Sequence, residues 1–407
     1  MSPTLVARLR ALARSPWTWL VLGGLLRLLH IAILGNRYYF GDTAEYQSAA
    51  LRMLHGLGLS GTAPRAPLFP MFMALSFRLG GEGNYVFTRL LNFVLALALI
   101  MVVSRLAARI GGPAAGMLAA SMMAIAPTMV FTAGLLYPTT LYMLLLASMT
   151  LVAWDLGEQP QLGRGLALGA LFALGWLTDQ VFIAPSAAIA LWLLWRLRQH
   201  GMALARALAA AVIMAATLAY PYALALERQT SDGVFMRKAQ SVLFSARTDP
   251  VLSHERWITY PPGATFEALR PHEFILREGN LFVHHPIAYL HDWTWEFIHF
   301  FRPVPDRVQT ENRYTQPIVL YIGGLYFLIL LTIAILGLGF GRGARRGRLL
   351  LALVVLGTAA FYSFFFTQAR YRVPVECHMI VLAALGVQHA FPRLTRALDP
   401  EDTGGHA

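Results

Sequence analysis

Residues 317–340 read PIVLYIGGLYFLILLTIAILGLGF, and residues 341–348, directly after them, read GRGARRGR. The first stretch carries no charged residue. As a helix rising about 1.5 Å per residue it is long enough to cross a hydrocarbon core of about 30 Å. Lipid offers no hydrogen bonds to a backbone, so an uncharged apolar run of this length reads as a membrane helix that satisfies its own amides. The second stretch packs four arginines into eight residues. Short basic segments beside a span stay on the cytoplasmic side, so the two stretches together set a membrane class and an orientation.

The same reading, carried outward, gives ten spans: 17–34, 84–107, 114–132, 135–154, 164–178, 180–197, 203–224, 317–340, 349–367 and 374–391. Pro113, Pro138, Pro317 and Pro374 sit near span starts, where a missing amide costs little. Arg8, Arg10 and Arg14 precede the first run, which reads as an uncleaved span with its N-terminus inside. On that orientation the short inside segments hold fifteen arginines against five acids, as the positive-inside tendency requires. Composition agrees: of 407 residues 57% are hydrophobic and only 13% charged, where soluble domains carry about 25%. The net charge of +12 punctuates apolar runs, which fits topology and lipid phosphates and argues against nucleic acid. The lone cysteine, Cys377, excludes an intrachain disulfide and reads as a small core hydrophobe.

The expected fold class is therefore an all-α polytopic membrane protein, one integral membrane domain over 1–399 with a disordered tail at 400–407. Two long polar segments, 35–83 and 225–316, fall on the non-cytoplasmic side. In the second, Phe282, Tyr289, Trp293, Trp295, Phe297 and Phe300 alternate with His285, His291, Asp292, Glu296 and His299. That composition suits an amphipathic helix lying at the membrane surface.

Chemistry concentrates in a few places. Tyr38-Tyr39-Phe40-Gly41-Asp42-Thr43-Ala44-Glu45-Tyr46 follows the first span. Asp42 and Glu45 have the spacing of a helix cap and its capping-box partner. Alternatively, Asp42 is a carboxylate at the membrane–water boundary that takes a proton from a hydroxyl nucleophile. Next, Pro64-Arg65-Ala66-Pro67-Leu68-Phe69-Pro70 is too proline-rich for a regular helix, so Arg65 is either a solvated side chain or a fixed guanidinium for a phosphate. Gln368-Ala369-Arg370-Tyr371-Arg372-Val373-Pro374 puts two arginines outside, against the charge tendency, which an anionic headgroup or substrate would offset. Glu376 and His378 follow it; Glu376 is placed to pair with one of those arginines. Arg27 and His30 share a face of the first span, and a structural ion pair with Asp179 is the expectation for Arg27.

Asp292, Glu296 and His299 share a helical face, but a dimetal carboxylate site needs two Glu-x-x-His pairs and the chain offers one. No cofactor is expected, and a divalent metal is unsupported. There is no Walker loop, nucleophile elbow or dinucleotide fingerprint.

The order of these features resembles the GT-C membrane glycosyltransferases, specifically bacterial relatives of protein O-mannosyltransferases and of aminoarabinose lipid A transferases. The resemblance rests on Gly41-Asp42-Thr43-Ala44-Glu45-Tyr46, Arg65-Ala66-Pro67-Leu68-Phe69-Pro70, Asn280 to Leu290 with Phe301-Arg302-Pro303, and Ala369-Arg370-Tyr371-Arg372-Val373-Pro374. It implies a transferase moving a hexose or pentose from a polyprenyl-phosphate donor to a lipid, glycan or protein hydroxyl. The place would be the outer face of a bacterial inner membrane. It puts Asp42 at the family's catalytic base, with Glu45 as its acidic companion. By position Arg65, Arg370 and Arg372 fall to the donor phosphate, with Tyr46, Tyr371 and His285 as further substrate contacts. Gly175-Trp176-Leu177-Thr178-Asp179 departs from the pattern, since many relatives carry a basic residue after the threonine. The residues suit such chemistry on their own terms: a phosphate leaving group needs cations, and a hydroxyl nucleophile needs a carboxylate. Inversion is expected because no second nucleophilic carboxylate is evident. A secondary transporter or lipid flippase is the alternative; it predicts internal repeats and broken spans.

Overall fold

The computed structural model describes residues 15–58, 65–229, 234–248, 256–261, 265–266, 269–304, 316–365 and 367–392. Arg8, Arg10, Arg14 and the tail 400–407 lie outside them. The described residues contain helices, turns and loops but no strand. In chain order the helices are α1 Pro16–Leu34, α2 Asp42–Leu54, α3 Leu68–Gly80, α4 Tyr85–Gly111, α5 Pro113–Ile125, α6 Pro127–Gly134, α7 Thr139–Glu158, α8 Leu162–Thr178, α9 Ile183–Gln229, α10 Val234–Thr248, α11 Pro271–His284, α12 Pro286–Phe300, α13 Pro317–Phe340, α14 Arg345–Tyr362 and α15 Ala369–Ala390.

Among the described residues six helices are long and apolar enough to cross a bilayer, or seven if the pair α5 and α6, bent by 57° at its break, counts as one span. Nine of the ten expected runs overlap a helix or a helix limb, and the run 114–132 is broken between α5 and α6. α9 turns sharply at Gly201, whose φ of 50° only glycine adopts readily, so its two limbs overlap the expected runs 180–197 and 203–224. α8 has just 17 residues, and α14 opens with Arg345, Arg346 and Arg348, which shorten its apolar part. α15 starts at Ala369, five residues before the expected boundary at Pro374, so Pro374 lies inside the helix and Arg370, Tyr371 and Arg372 form its first turn.

Packing between spans relies on close backbone approach. A Cβ on Gly165 would sit 2.1 Å from the carbonyl oxygen of Ala207, and one on Gly169 2.1 Å from that of Ala211. The spacing of four brings both glycines to one face of α8, where the second limb of α9 lies against them. Gly337 of α13 meets the Leu382 carbonyl of α15 in the same way, at 1.8 Å. The opposite side of α13 exposes Ile318, Tyr321, Leu325 and Ile329, an apolar face for lipid.

Buried arginines satisfy helix ends. Arg27, only 1% exposed, donates to Gly23 O at 2.9 Å, Met123 O at 2.9 Å and Ala124 O at 3.1 Å. The last two are orphan carbonyls at the end of α5, where the break to α6 leaves them without amides. The expected ion pair with Asp179 is thus replaced by a cap: the guanidinium reaches a helix C-terminus, whose partial negative charge suits it. Arg89 does the same for Gly134 O at 2.8 Å and Gly35 O at 2.6 Å, closing the ends of α6 and α1 together.

The described parts of segments 35–83 and 225–316 build a smaller layer. α12 buries Asp292, Glu296 and Phe300 and exposes Ile287, Leu290 and Ile298. A helix that turns its acids to the protein and its aliphatic residues outward is suited to lie against lipid.

Candidate active site

α2 starts at Asp42, and its first turns present Asp42, Glu45 and Tyr46 at i, i+3 and i+4, hence on one face. Arg65 enters from the rigid stretch leading into α3. Arg370 is the second residue of α15. The three segments meet. Arg65 Nε lies 2.7 Å and Nη2 2.6 Å from the same Glu45 oxygen, Oε2. Its Nη2 is also 3.7 Å from Asp42 Oδ1. On the other side of that carboxylate, Arg370 Nη1 stands 3.1 Å from Oδ2. Asp42 therefore sits between two guanidinium groups, with its side chain 33% exposed and open to an incoming reactant.

The capping box that the spacing suggests is not formed. Gly41 precedes the helix in an αR conformation with no side-chain cap, and both acids turn to arginines. Charge-assisted bonds to guanidinium outweigh bonds to exposed amides.

Aromatic rings line the cluster. Tyr46 is buried, packs edge-on against Phe69, and carries the Arg65 guanidinium 5.1 Å above its centroid. Burial, followed by the charges of Asp179 and Asp42, pushes the Tyr46 phenol up more than Arg65 pulls it down. For Arg65 burial works against the charge, but Tyr46, Glu45 and Asp42 outweigh it and hold the guanidinium above its ordinary value. Arg65 is a permanent cation. Tyr137, in the turn between α6 and α7, lies 5.9 Å from Tyr46 and 6.2 Å from Phe40, ring to ring. Burial and the nearby Asp42 carboxylate raise its phenol as well. Arg370 lies 5.5 Å over the ring of Tyr371, which stacks on Tyr362 at 4.6 Å and 8°.

Six of the eight residues singled out in the sequence thus come together: Asp42, Glu45, Tyr46, Arg65, Arg370 and Tyr371. Arg372 and His285 do not join them. Arg372 is buried, pairs with Glu376 at 3.3 Å, donates to the carbonyls of Arg302 and Pro303, and covers the Phe327 ring at 3.6 Å. It directly follows Tyr371 and lies two positions beyond Arg370, and the helical twist swings it to another face. His285 is exposed at the junction of α11 and α12. The far end of α12, about 22 Å away at helical rise, is the one that reaches Tyr362 through Phe300. Tyr137 and Tyr362 escaped the sequence reading; the Gly134-to-Pro138 punctuation marks a turn but says nothing of its position beside Asp42.

The acids whose spacing was weighed for a metal, Asp292 and Glu296, are separately engaged. Asp292 accepts from the Trp257 and Ile258 amides at 2.8 and 3.1 Å; Glu296 pairs with Arg256 at 2.7 Å. Among the described residues no three His, Cys, Asp or Glu side chains are grouped to hold a metal ion.

Residues 64–229 match the family described as dolichyl-phosphate-mannose-protein mannosyltransferase. That window includes Arg65 and Tyr137 but neither Asp42 nor Arg370. Among solved structures, ArnT from Cupriavidus metallidurans bound to undecaprenyl phosphate is similar at a TM-score of 0.57 and 17% identity, over 92% of this chain and 61% of ArnT. The archaeal oligosaccharyltransferase AglB from Archaeoglobus fulgidus, in complex with an inhibitory peptide and a dolichol-phosphate, is similar at 0.58 and 12% identity, over 96% of this chain and 52% of AglB. The chain thus spans between half and two thirds of these structures. No curated protein sequence matches it closely enough to count as a relative.

Proposed function

From the premise that this chain has the GT-C membrane fold, we propose that it is a glycosyltransferase that takes a sugar from a polyprenyl-phosphate donor and gives it to a hydroxyl on the non-cytoplasmic face of a bacterial inner membrane. The observation that carries the reading is the Asp42 carboxylate held between Arg65 and Arg370. The fold likenesses support the donor class, since the ArnT and AglB structures hold undecaprenyl phosphate and a dolichol-phosphate.

In the proposed step a hydroxyl oxygen bonds to the anomeric carbon as the bond from that carbon to the phosphate oxygen breaks. The hydroxyl proton passes to Asp42, and the electron pair leaves on the polyprenyl phosphate. The leaving group needs no proton, only cations, and Arg65 and Arg370 supply them. A phosphate drawing Arg370 toward itself would loosen its hold on Asp42 and leave that carboxylate free to accept a proton. Glu45 is committed to Arg65 and Asp179 accepts from the Val181 amide; with Asp42 acting as base and neither of these as nucleophile, the anomeric centre inverts. Tyr137 and Tyr371, each half-buried beside the cluster, offer contacts to a sugar, while Tyr46 is packed beneath Arg65. Lipids, glycans and proteins remain the acceptor classes.

A transporter would make use of the break between α5 and α6. The carbonyls freed there are already capped by Arg27, which removes the open backbone site that reading needs.

The test is transfer by purified protein supplied with labelled polyprenyl-phosphate sugars and a membrane extract as acceptor. Asp42→Asn should lower turnover by about 10²–10⁴-fold. Full turnover in a folded Asp42→Asn protein would discard Asp42 as the base. Movement of donor across vesicles without covalent product would favour a flippase.

A further inference from the structure

A buried polar network outside the candidate site ends three residues from Arg370. Glu296, on α12, accepts from the Thr367 amide at 2.6 Å and from its hydroxyl at 2.8 Å through the same oxygen, Oε2. The Thr367 hydroxyl also lies 3.0 Å from the Glu296 carbonyl. The other carboxylate oxygen takes Arg256 Nη2 at 2.7 Å. That guanidinium bonds in addition to the carbonyl of Phe365. Glu296, Arg256 and Thr367 are all less than a tenth exposed. An acid and a base from two different parts of the outer layer thus grip both sides of the short turn between α14 and α15.

That turn launches α15. Gln368, the residue before the helix, caps nothing with its side chain, so local capping does not fix the helix start. The grip on residues 365 and 367 does so from outside the segment, and Arg370 sits one turn further on, against Asp42.

We propose that Glu296 is a positioning residue: by fixing the turn at Thr367 it sets the direction in which Arg370 enters the site, and so the binding of the donor phosphate. Glu296 touches no reactant itself. It couples the outer layer, through the 256–258 loop that Arg256 anchors, to the cation that meets the substrate. This rests on the reading of Arg370 as a donor-phosphate ligand.

The experiment measures binding of undecaprenyl phosphate, without any sugar, to detergent-purified protein. The variants are Glu296→Gln, Thr367→Val, Arg370→Ala and the double variant Glu296→Gln with Arg370→Ala. Glu296→Gln should weaken binding about tenfold, the scale of one misdirected charge-assisted hydrogen bond. Thr367→Val, which keeps shape and amide but removes the hydroxyl, should weaken it less. The double variant should bind no more weakly than Arg370→Ala alone, because a positioning effect vanishes when the positioned group is gone. A purely structural role would instead add its penalty in both backgrounds. Unchanged binding in Glu296→Gln and Thr367→Val, or additive losses in the double variant, would overturn the inference alone. A folded wild-type protein with no affinity for the lipid phosphate would overturn the donor reading, and the inference with it.

Discussion

Arg370 Nη1 stands 3.1 Å from Asp42 Oδ2 across 328 residues of chain. The arginine side chain is about half exposed and the carboxylate a third. A pair so open to water contributes at most about 1 kcal/mol to folding once screening and side-chain entropy are counted. Stability is therefore a poor account of why α2 and α15 meet here, and ligand chemistry a better one. Arg370→Ala should leave the unfolding temperature of the purified protein nearly unchanged. The same variant should weaken polyprenyl phosphate binding about 10–100-fold, the range for one or two lost charge-assisted bonds. Arg370→Lys should restore part of this, since it keeps the charge but not the planar fork. A large drop in unfolding temperature with intact binding would make the pair structural.

Arg27 gives a prediction that separates two readings of one residue. As a partner of Asp179 it would lose its purpose in Asp179→Asn. As a cap on Met123 and Ala124 it is indifferent to that change. Arg27→Met should destabilise by about 1–3 kcal/mol for each buried carbonyl left unpaired, seen as a lower thermal midpoint in detergent. Asp179→Asn should move the midpoint little. Equal losses from both variants would restore the ion pair.

These two arginines also mark how far the sequence could be read. The helical membrane class was legible because apolar runs of membrane length have few other uses. The six clustered residues were legible because Asp42, Arg65 and Arg370 are charged where a span end offers them no routine partner. Arg27 was legible as costly but not as a cap, because the break between α5 and α6 is a feature of backbone direction at Ala126-Pro127. Arg372 was misplaced for a related reason. Two residues along a helix from Arg370 is close in sequence and on a different side in space. Tyr137, Tyr362 and the grip of Glu296 on Thr367 depend on contacts between distant segments, which periodicity does not encode.

The glycines of α8 predict a sign as well as a size. Gly169→Ala places a methyl 2.1 Å from the Ala211 carbonyl oxygen, so α8 and α9 must part. Overpacking of this kind costs about 1–3 kcal/mol. Gly323 lies in α13 with nothing within 4 Å of an added Cβ, and Gly323→Ala should leave the thermal midpoint unchanged or raise it. If both substitutions proved equally harmless, the close approach of α8 and α9 would be refuted.

The orientation can be tested with the chain's own chemistry. Cys377 is its one cysteine and is 1% exposed, so wild-type protein in intact cells should take up almost no membrane-impermeant maleimide. Leu57, just beyond α2, is 58% exposed, and Arg345, at the start of α14, is exposed as well. If the basic turn 341–348 faces the cytoplasm, Leu57→Cys should label in cells whose outer barrier alone has been opened. Arg345→Cys should label only after the inner membrane is breached. The reverse pattern would put Asp42, Arg65 and Arg370 on the cytoplasmic side, and an acceptor on the outer face could no longer reach them. Labelling of both from outside would mean that an even number of crossings separates them in place of the expected seven, and would point to α8, the shortest expected span, as one that does not cross.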